Sequence, residues 1–150
     1  MALEEPPSHR VMSDRAPRVT LAVIEDDASM LFALASLLTA SGFGVAPFAS
    51  AEDFLESLPR LTIAGVVSDV YLSGMTAVAL QTHLAERGID LPMVYITGHD
   101  DPTTRALLRG AGVTSWLHKP FDEALLLREV ERVVSKAPST PAGTSRTRKS

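Results

Sequence analysis

The chain has 150 residues, of which 45% are hydrophobic and 21% charged, and its formal net charge is −4. This length and composition are typical of one globular domain with a sizeable core. The sequence contains no cysteine, which excludes a disulfide framework, a thiolate metal site and a cysteine nucleophile. The acidic balance argues against nucleic-acid binding by the main body.

The two ends of the chain differ in composition from its middle. Residues 1–17 are rich in proline, serine and charge, and they lack the cationic start and apolar stretch of a signal peptide. Residues 137–150 contain no large apolar residue. We predict that both segments are disordered tails, the second one basic, around one domain at residues 18–136. No apolar run is long enough to span a bilayer, so we expect a cytoplasmic protein without a membrane partner.

Between these tails, short apolar runs alternate with stretches of helical periodicity. In chain order, the prediction is a strand at 18–24, a helix at 27–42, a strand at 43–49, a helix at 50–58, a strand at 61–68, a helix at 76–88, a strand at 91–97, a helix at 101–112, a strand at 113–118 and a helix at 122–136. Gly42 suits the end of the first helix. Ser50, followed by Asp53, suits the start of the second. Asp101 ahead of Pro102 suits the start of the fourth.

Apolar strands that alternate with helices indicate a parallel sheet covered on both faces. With right-handed crossovers, five such pairs form an α/β fold: a doubly wound five-stranded parallel sheet with five helices. Ligands of such folds bind outside the carboxyl ends of the strands. The residues at those ends are therefore the candidate functional residues.

Charged and polar residues stand at the carboxyl ends of four predicted strands. They are Glu25, Asp26 and Asp27 after the first strand, Asp69 after the third, Thr97 at the end of the fourth and Lys119 after the fifth. Crowded carboxylates favour a hard divalent cation, and one or two carboxylates with water suit Mg²⁺. An aspartate beside such an ion can attack phosphorus and form an acyl phosphate. A hydroxyl and an ammonium would then hold the remaining phosphoryl oxygens.

Taken singly, these residues also have ordinary structural interpretations. Asp69 alone could open a loop, and the acids at 25–27 could cap the first helix. Thr97 alone is typical of a strand, and Lys119 alone is typical of a solvated charge. Their joint placement favours a site, and we expect Asp27 alone among them to act only as a cap.

The segments "VIEDD", "VVSDV", "YITGH" and "HKPF", in this order on alternating strands, resemble the receiver domain of bacterial two-component response regulators. The resemblance covers about residues 19–136, and "ITGHDD" and "KPFDE" are most similar to receivers of nitrogen-fixation-type regulators. It implies a flavodoxin-like sheet with the strand order 2-1-3-4-5. It also implies a signalling protein that is not an enzyme beyond self-phosphorylation and slow self-dephosphorylation at Asp69.

The resemblance further implies a role for each matching residue. Asp69 is the implied phosphoacceptor. The implied Mg²⁺ ligands are Glu25 (through water), Asp26, Asp69 and the backbone carbonyl of Tyr71. The implied phosphoryl contacts come from Thr97 and from Lys119, which precedes a cis peptide bond to Pro120. The implied switch pair is Thr97 with Trp116, placed on the fifth strand.

The resemblance implies that the phosphodonor is a histidine kinase or phosphotransfer protein. The implied output face consists of the fourth helix, the fifth strand and the fifth helix, and a homodimer through that face is a further expectation. We expect a stand-alone response regulator that binds an unidentified output protein and no nucleic acid. The alternatives are a phosphate-independent receiver-like interaction domain and the excised receiver half of a DNA-binding transcription regulator. A phosphoaspartyl phosphatase is disfavoured, because such enzymes place a second acid where this chain has Tyr71.

Four positions depart from the usual pattern of these receivers. Ser73 stands where proline is usual, Ala77 stands where glycine is common, and Trp116 is bulkier than the usual switch aromatic. Glu25 replaces an aspartate and keeps its charge, with a side chain one methylene longer. Tyr71 and His99 each lie two residues past a candidate site residue. We expect their side chains to gate the water that attacks the phosphorylated state.

Overall fold

A computed structural model describes residues 18–136, so the predicted tails at 1–17 and 137–150 lie outside the described residues. The strands are β1 (Thr20–Ile24), β2 (Gly44–Phe48), β3 (Gly65–Asp69), β4 (Tyr71–Leu72), β5 (Met75–Thr76), β6 (Met93–Thr97) and β7 (Leu117–His118). The helices are α1 (Ala28–Ala40), α2 (Ala51–Ser57), α3 (Ala77–Glu86), α4 (Pro102–Gly110) and α5 (Glu123–Lys136), with a 3-10 turn at Leu58–Arg60. Within this part of the chain, no helix is long and apolar enough to cross a membrane.

Five parallel strands form one sheet in the order β2-β1-β3-β6-β7. Counted among the five predicted strands, this order is 2-1-3-4-5, so the predicted doubly wound fold is confirmed. The register pairs Ile24 with Ser68 and Asp69 with Ile96. It therefore brings the carboxyl ends of β1, β3 and β6 together at one edge, which we call the site edge.

The central strands are buried on both faces because their side chains alternate between two apolar layers. In β1, Leu21 and Val23 pack on one side, in a cluster with residues of α1 and α5. Ala22 and Ile24 point the other way and pack with residues of α2 and α3. A third cluster joins α3 and α4 around Tyr95. This two-sided core holds the site edge in place.

The helices begin at side-chain caps that the sequence supplies. The side chain of Asp27 accepts a hydrogen bond from the amide of Met30 at the start of α1, as predicted. Ser50 caps α2 and Asp101 caps α4 in the same way. Thr76 caps α3, which positions the hairpin of β4 and β5 directly ahead of that helix.

Several predicted boundaries were wrong. The strand predicted at 113–118 is reduced to Leu117–His118, because the amide of Val113 is bonded to the carbonyl of Leu108 at the end of α4. The third strand starts later than predicted, at Gly65, and residues 61–64 connect it to a 3-10 turn that contains Pro59. The hairpin of β4 and β5 was not predicted. Its turn depends on Gly74, which has a φ of 91°, and the short strands on either side show no recognisable sequence pattern.

Candidate phosphorylation site

Three carboxylates meet at the site edge. One ligand oxygen each from Glu25, Asp26 and Asp69 lies within 4.8 Å of the others. Glu25 and Asp26 directly follow β1, and Asp69 is the last residue of β3, the neighbouring strand. The side chain of Glu25 is 1% exposed and that of Asp69 is 12% exposed, whereas Asp26 is exposed. The three acids thus form a cleft that opens to solvent at Asp26.

Lys119 reaches the same cleft from the loop after β7. Its Nζ lies 2.9 Å from Oε1 of Glu25 and 3.3 Å from Oδ2 of Asp69. Its backbone amide donates to the carbonyl of Thr97 at 2.8 Å, which fixes the start of the side chain. The peptide bond from Lys119 to Pro120 is cis, as the resemblance implied. Lys119 therefore bridges two of the three carboxylates.

On the pKa values of Glu25 and Lys119, burial and the neighbouring opposite charge act in opposite directions. Burial raises the pKa of the Glu25 carboxyl, and the hydrogen bond from Lys119 offsets that effect only in part. Burial lowers the pKa of the Lys119 ammonium, but its hydrogen bond to Glu25 and the charge of Asp69 outweigh burial and raise the pKa overall. The ammonium therefore stays charged at neutral pH.

Glu25 and Asp26 differ in how far their carboxylate oxygens are available to a metal ion. Both oxygens of Glu25 are engaged, one by Lys119 and the other by the amide of Asp27 at 3.1 Å. Asp26 is exposed, and its Oδ2 accepts a hydrogen bond of 3.2 Å from the hydroxyl of Ser73. The hairpin tip thus touches the most open carboxylate, a contact that the sequence did not predict.

The donor set fits a hard divalent cation. The clustered ligand atoms are carboxylate oxygens, and the group contains no sulfur or imidazole nitrogen. Among the described residues, three carboxylates outnumber the one ammonium beside them, so this group of side chains carries a net negative charge that a cation would neutralise. Carboxylates with open positions for water suit Mg²⁺.

Thr97 and His99 line the adjacent part of the site edge. Thr97 is fully buried at the end of β6, and its Oγ1 accepts a hydrogen bond of 3.0 Å from the backbone amide of His99. Thr97 follows Ile96, the residue that pairs with Asp69, so it lies at the end of the strand beside the acceptor strand. The side chain of His99 is exposed.

Tyr71 is in contact with His99 and with α4. The two rings meet edge to face, with centroids 4.7 Å apart. The phenol oxygen of Tyr71 lies 2.7 Å from Oγ1 of Thr104, a fully buried residue in the first turn of α4. Sequence reasoning singled out Tyr71 and His99 but missed Thr104, since one threonine in a helix carries no signal of its own.

Trp116 does not lie in the cleft, and its predicted place within the fifth strand was wrong. It directly precedes β7. Its side chain is half-buried and packs against the cluster around Tyr95. The guanidinium of Arg109 stands 5.7 Å from the centre of its ring. The ring therefore belongs to the surface of α4, β7 and α5.

Comparisons with known proteins show the family of this chain. A family model described as the response regulator receiver domain matches residues 21–131. The chain is 35% identical over 115 residues to the transcriptional regulatory protein FixJ of Bradyrhizobium diazoefficiens, an alignment that covers 77% of this chain and 56% of FixJ. It is 33% identical over 129 residues to the response regulator protein TodT of Pseudomonas putida, covering 86% and 56% of the two chains.

Solved structures give the same result. Full-length FixJ from B. japonicum superposes with a TM-score of 0.73 at 32% identity, covering 85% of this chain and 62% of that one. The FixJ-N structure has a TM-score of 0.73 at 29% identity and covers 81% and 98%. The chain thus spans about half the length of the curated relatives it matches and nearly all of FixJ-N.

Proposed function

Because the chain belongs to the response regulator receiver family, we propose that Asp69 accepts a phosphoryl group from the phosphohistidine of a histidine kinase or phosphotransfer protein. The observation that carries this proposal is the cleft itself, where Asp69 lies among two further carboxylates and the ammonium of Lys119. Asp69 is the carboxylate at the tip of a buried strand, and it remains partly open to solvent.

In the proposed transfer, an Oδ of Asp69 attacks phosphorus and the bond between phosphorus and the histidine nitrogen breaks. Asp26, Asp69 and the backbone carbonyl of Tyr71 would hold Mg²⁺, with Glu25 reaching it through water. The ion would supply neutralisation of the charge that crowds around the phosphoryl group. Lys119 would exchange its contact with the Asp69 carboxylate for a phosphoryl oxygen, while its contact with Glu25 holds the ammonium in place. The same residues support self-phosphorylation from small donors and slow self-dephosphorylation.

Thr97 is the proposed sensor of the new phosphoryl group. Its Oγ1 accepts from the amide of His99, which leaves its hydroxyl proton available for a phosphoryl oxygen. If the side chain turns toward Asp69, the His99 amide loses that partner and the segment after β6 moves. This segment leads directly into α4, so phosphorylation would change the face that α4 contributes to.

The proposed output face consists of α4, β7 and α5. It carries a shallow groove of about 500 Å³, whose lining includes Trp116, Leu125 and Arg128. Leu125 is 44% exposed, whereas the next residue on the same helix, Leu126, is fully buried. We propose that an output protein, or a second copy of this chain, covers this groove after phosphorylation. Action as a stand-alone regulator stays a prediction, as does a cytoplasmic location.

Intact mass measurement tests the proposed transfer. The protein is incubated with Mg²⁺ and acetyl phosphate, and we expect an adduct of about 80 Da, the mass of one phosphoryl group. Asp69→Asn should abolish the adduct, whereas Asp90→Asn, a matched change at an exposed aspartate, should leave it unchanged. Absence of any adduct would contradict phosphoacceptor function and favour a phosphate-independent interaction domain.

A further inference from the structure

Thr104 is a buried hydroxyl whose side chain is joined to the loop beyond the acceptor. It lies in the first turn of α4 and is 0% exposed. Its Oγ1 is 2.7 Å from the phenol oxygen of Tyr71, 33 positions earlier in the chain. Its backbone amide is held separately by the side chain of the α4 cap, Asp101, at 2.8 Å. The side-chain bond to Tyr71 is therefore separate from the cap of the helix.

The phenol of Tyr71 is hydrogen-bonded to this buried hydroxyl. A buried hydroxyl without a hydrogen bond is costly, so the pairing fixes the Tyr71 ring against α4. The ring in turn contacts His99 edge to face, with 69° between the ring planes. The amide of His99 is bonded to the hydroxyl of Thr97. One contact path thus leads from α4 through two rings to the proposed phosphoryl sensor.

Both rings belong to residues that closely follow the candidate site residues. Tyr71 is two residues past Asp69, after a bend at Val70, and is partly buried. His99 is two residues past Thr97, in the loop after β6, and its side chain is exposed. Water that hydrolyses a phosphorylated Asp69 comes from solvent, and the exposed His99 lies on the solvent side of the site edge.

We propose that Thr104 is a positioning residue that holds Tyr71, and with it His99, across the water path to phosphorylated Asp69. The proposal rests on the phosphoacceptor function proposed above. In the hydrolysis that it slows, the oxygen of water bonds to phosphorus while the bond from phosphorus to Oδ of Asp69 breaks. The products are inorganic phosphate and the free carboxylate, and one proton passes to solvent. The first turn of α4 therefore sets the lifetime of the phosphorylated state, and a partner that moves this turn changes that lifetime.

The lifetime of the adduct in matched variants tests this role. Each protein is loaded with acetyl phosphate and Mg²⁺, the donor is removed, and loss of the adduct is followed by intact mass. Removing the donor first keeps its own access to Asp69 out of the measured rate. Thr104→Val and Tyr71→Phe should each shorten the lifetime roughly two- to tenfold, the range that one neutral hydrogen bond permits. Thr104→Ser, which keeps the hydroxyl, and Thr103→Val, at the exposed neighbour, should keep the wild-type lifetime.

The double variant Tyr71→Phe/Thr104→Val separates this role from two unrelated effects. If the hydrogen bond carries the effect, the double variant loses phosphate no faster than the more affected single variant. Additive effects, a wild-type lifetime in Thr104→Val, or a shortened lifetime in Thr104→Ser would each overturn the proposal.

Hydrogen exchange on the unphosphorylated protein tests the contact independently of phosphorylation. Thr104→Val and Tyr71→Phe should speed exchange of the amides at 104–106 and leave those of β1 and β3 unchanged. Unchanged exchange at 104–106 in Tyr71→Phe would contradict the tie between the loop and α4. If the wild type takes up no phosphoryl group, the proposed function fails, and the exchange result still decides whether Thr104 holds Tyr71.

Discussion

Replacing Lys119 with methionine removes the ammonium that bridges two neighbouring carboxylates. Methionine keeps the length and most of the apolar stem of lysine but carries no charge. In the native protein, Nζ of Lys119 is 2.9 Å from Glu25, whose side chain is only 1% exposed. The variant leaves that carboxylate buried without a cation, while Asp69 remains as a nearby like charge.

The expected loss of stability follows from this geometry. Removing one partner of a fully buried ion pair costs about 3–5 kcal/mol, because the other charge stays desolvated. The Lys119 side chain is 20% exposed, and Glu25 keeps its bond from the amide of Asp27. We therefore expect Lys119→Met to lower the free energy of unfolding by about 2–3 kcal/mol at neutral pH.

The pH dependence of this loss has a definite sign. Since the pKa of Glu25 is raised in the folded protein, the folded state binds more protons than the unfolded state between the two pKa values. Ionisation of Glu25 therefore costs stability as pH rises through that window. Without Lys119 the pKa rises further, so the deficit of the variant should be smaller in mild acid than at neutral pH. The contribution of Lys119 itself, whose pKa is raised, is lost only in strong base.

Urea unfolding followed by circular dichroism at about pH 5 and about pH 7.5 measures both effects. Arg60→Met, at an exposed cation outside the cleft, is the matched control and should change stability little. Equal stability of Lys119→Met and wild type at neutral pH would refute this reasoning. A deficit that grows in acid would also refute it, because protonation of Glu25 would then not relieve the unpaired charge.

Two further predictions concern neighbours of the carboxylates. Ser73→Ala removes the hydroxyl that donates to Asp26, and we expect Mg²⁺ to bind roughly two- to tenfold more weakly in titration calorimetry of the unphosphorylated protein. Ser73→Thr should keep the wild-type affinity, and equal affinity in the alanine variant would contradict a positioning role for this hydroxyl. Asp27→Ala removes the α1 cap and should lower the free energy of unfolding by about 1 kcal/mol in urea, while Asp27→Asn should restore most of it. If the alanine variant unfolds like wild type, the cap contributes nothing.

The sheet and the site edge could be predicted because their signals are local and their geometry is general. Apolar runs between helical stretches define parallel strands, and the ends of parallel strands meet at one edge. This rule is sufficient to bring Glu25, Asp69 and Lys119 together without knowledge of side-chain positions. The cleft in the structure follows that expectation.

The features that were missed depend on contacts between distant segments. The last strand is short because Val113 completes the end of α4, an interaction that local apolar character does not reveal. The hairpin depends on one glycine at positive φ. The bond between Tyr71 and Thr104 joins residues that only the folded chain brings together. Propensity and periodicity describe neighbours in sequence, so contacts of this kind lie beyond them.

Chemical mapping of the phosphorylated residue tests the central claim most directly. The protein is loaded with acetyl phosphate and Mg²⁺ and then reduced with borohydride, which converts an acyl phosphate of aspartate into homoserine. Peptide mass spectrometry then locates the converted residue. Our account predicts homoserine at position 69 only, and only when both the donor and Mg²⁺ were present. Conversion at another acid of the cleft, such as Asp26, or no conversion at all would contradict it.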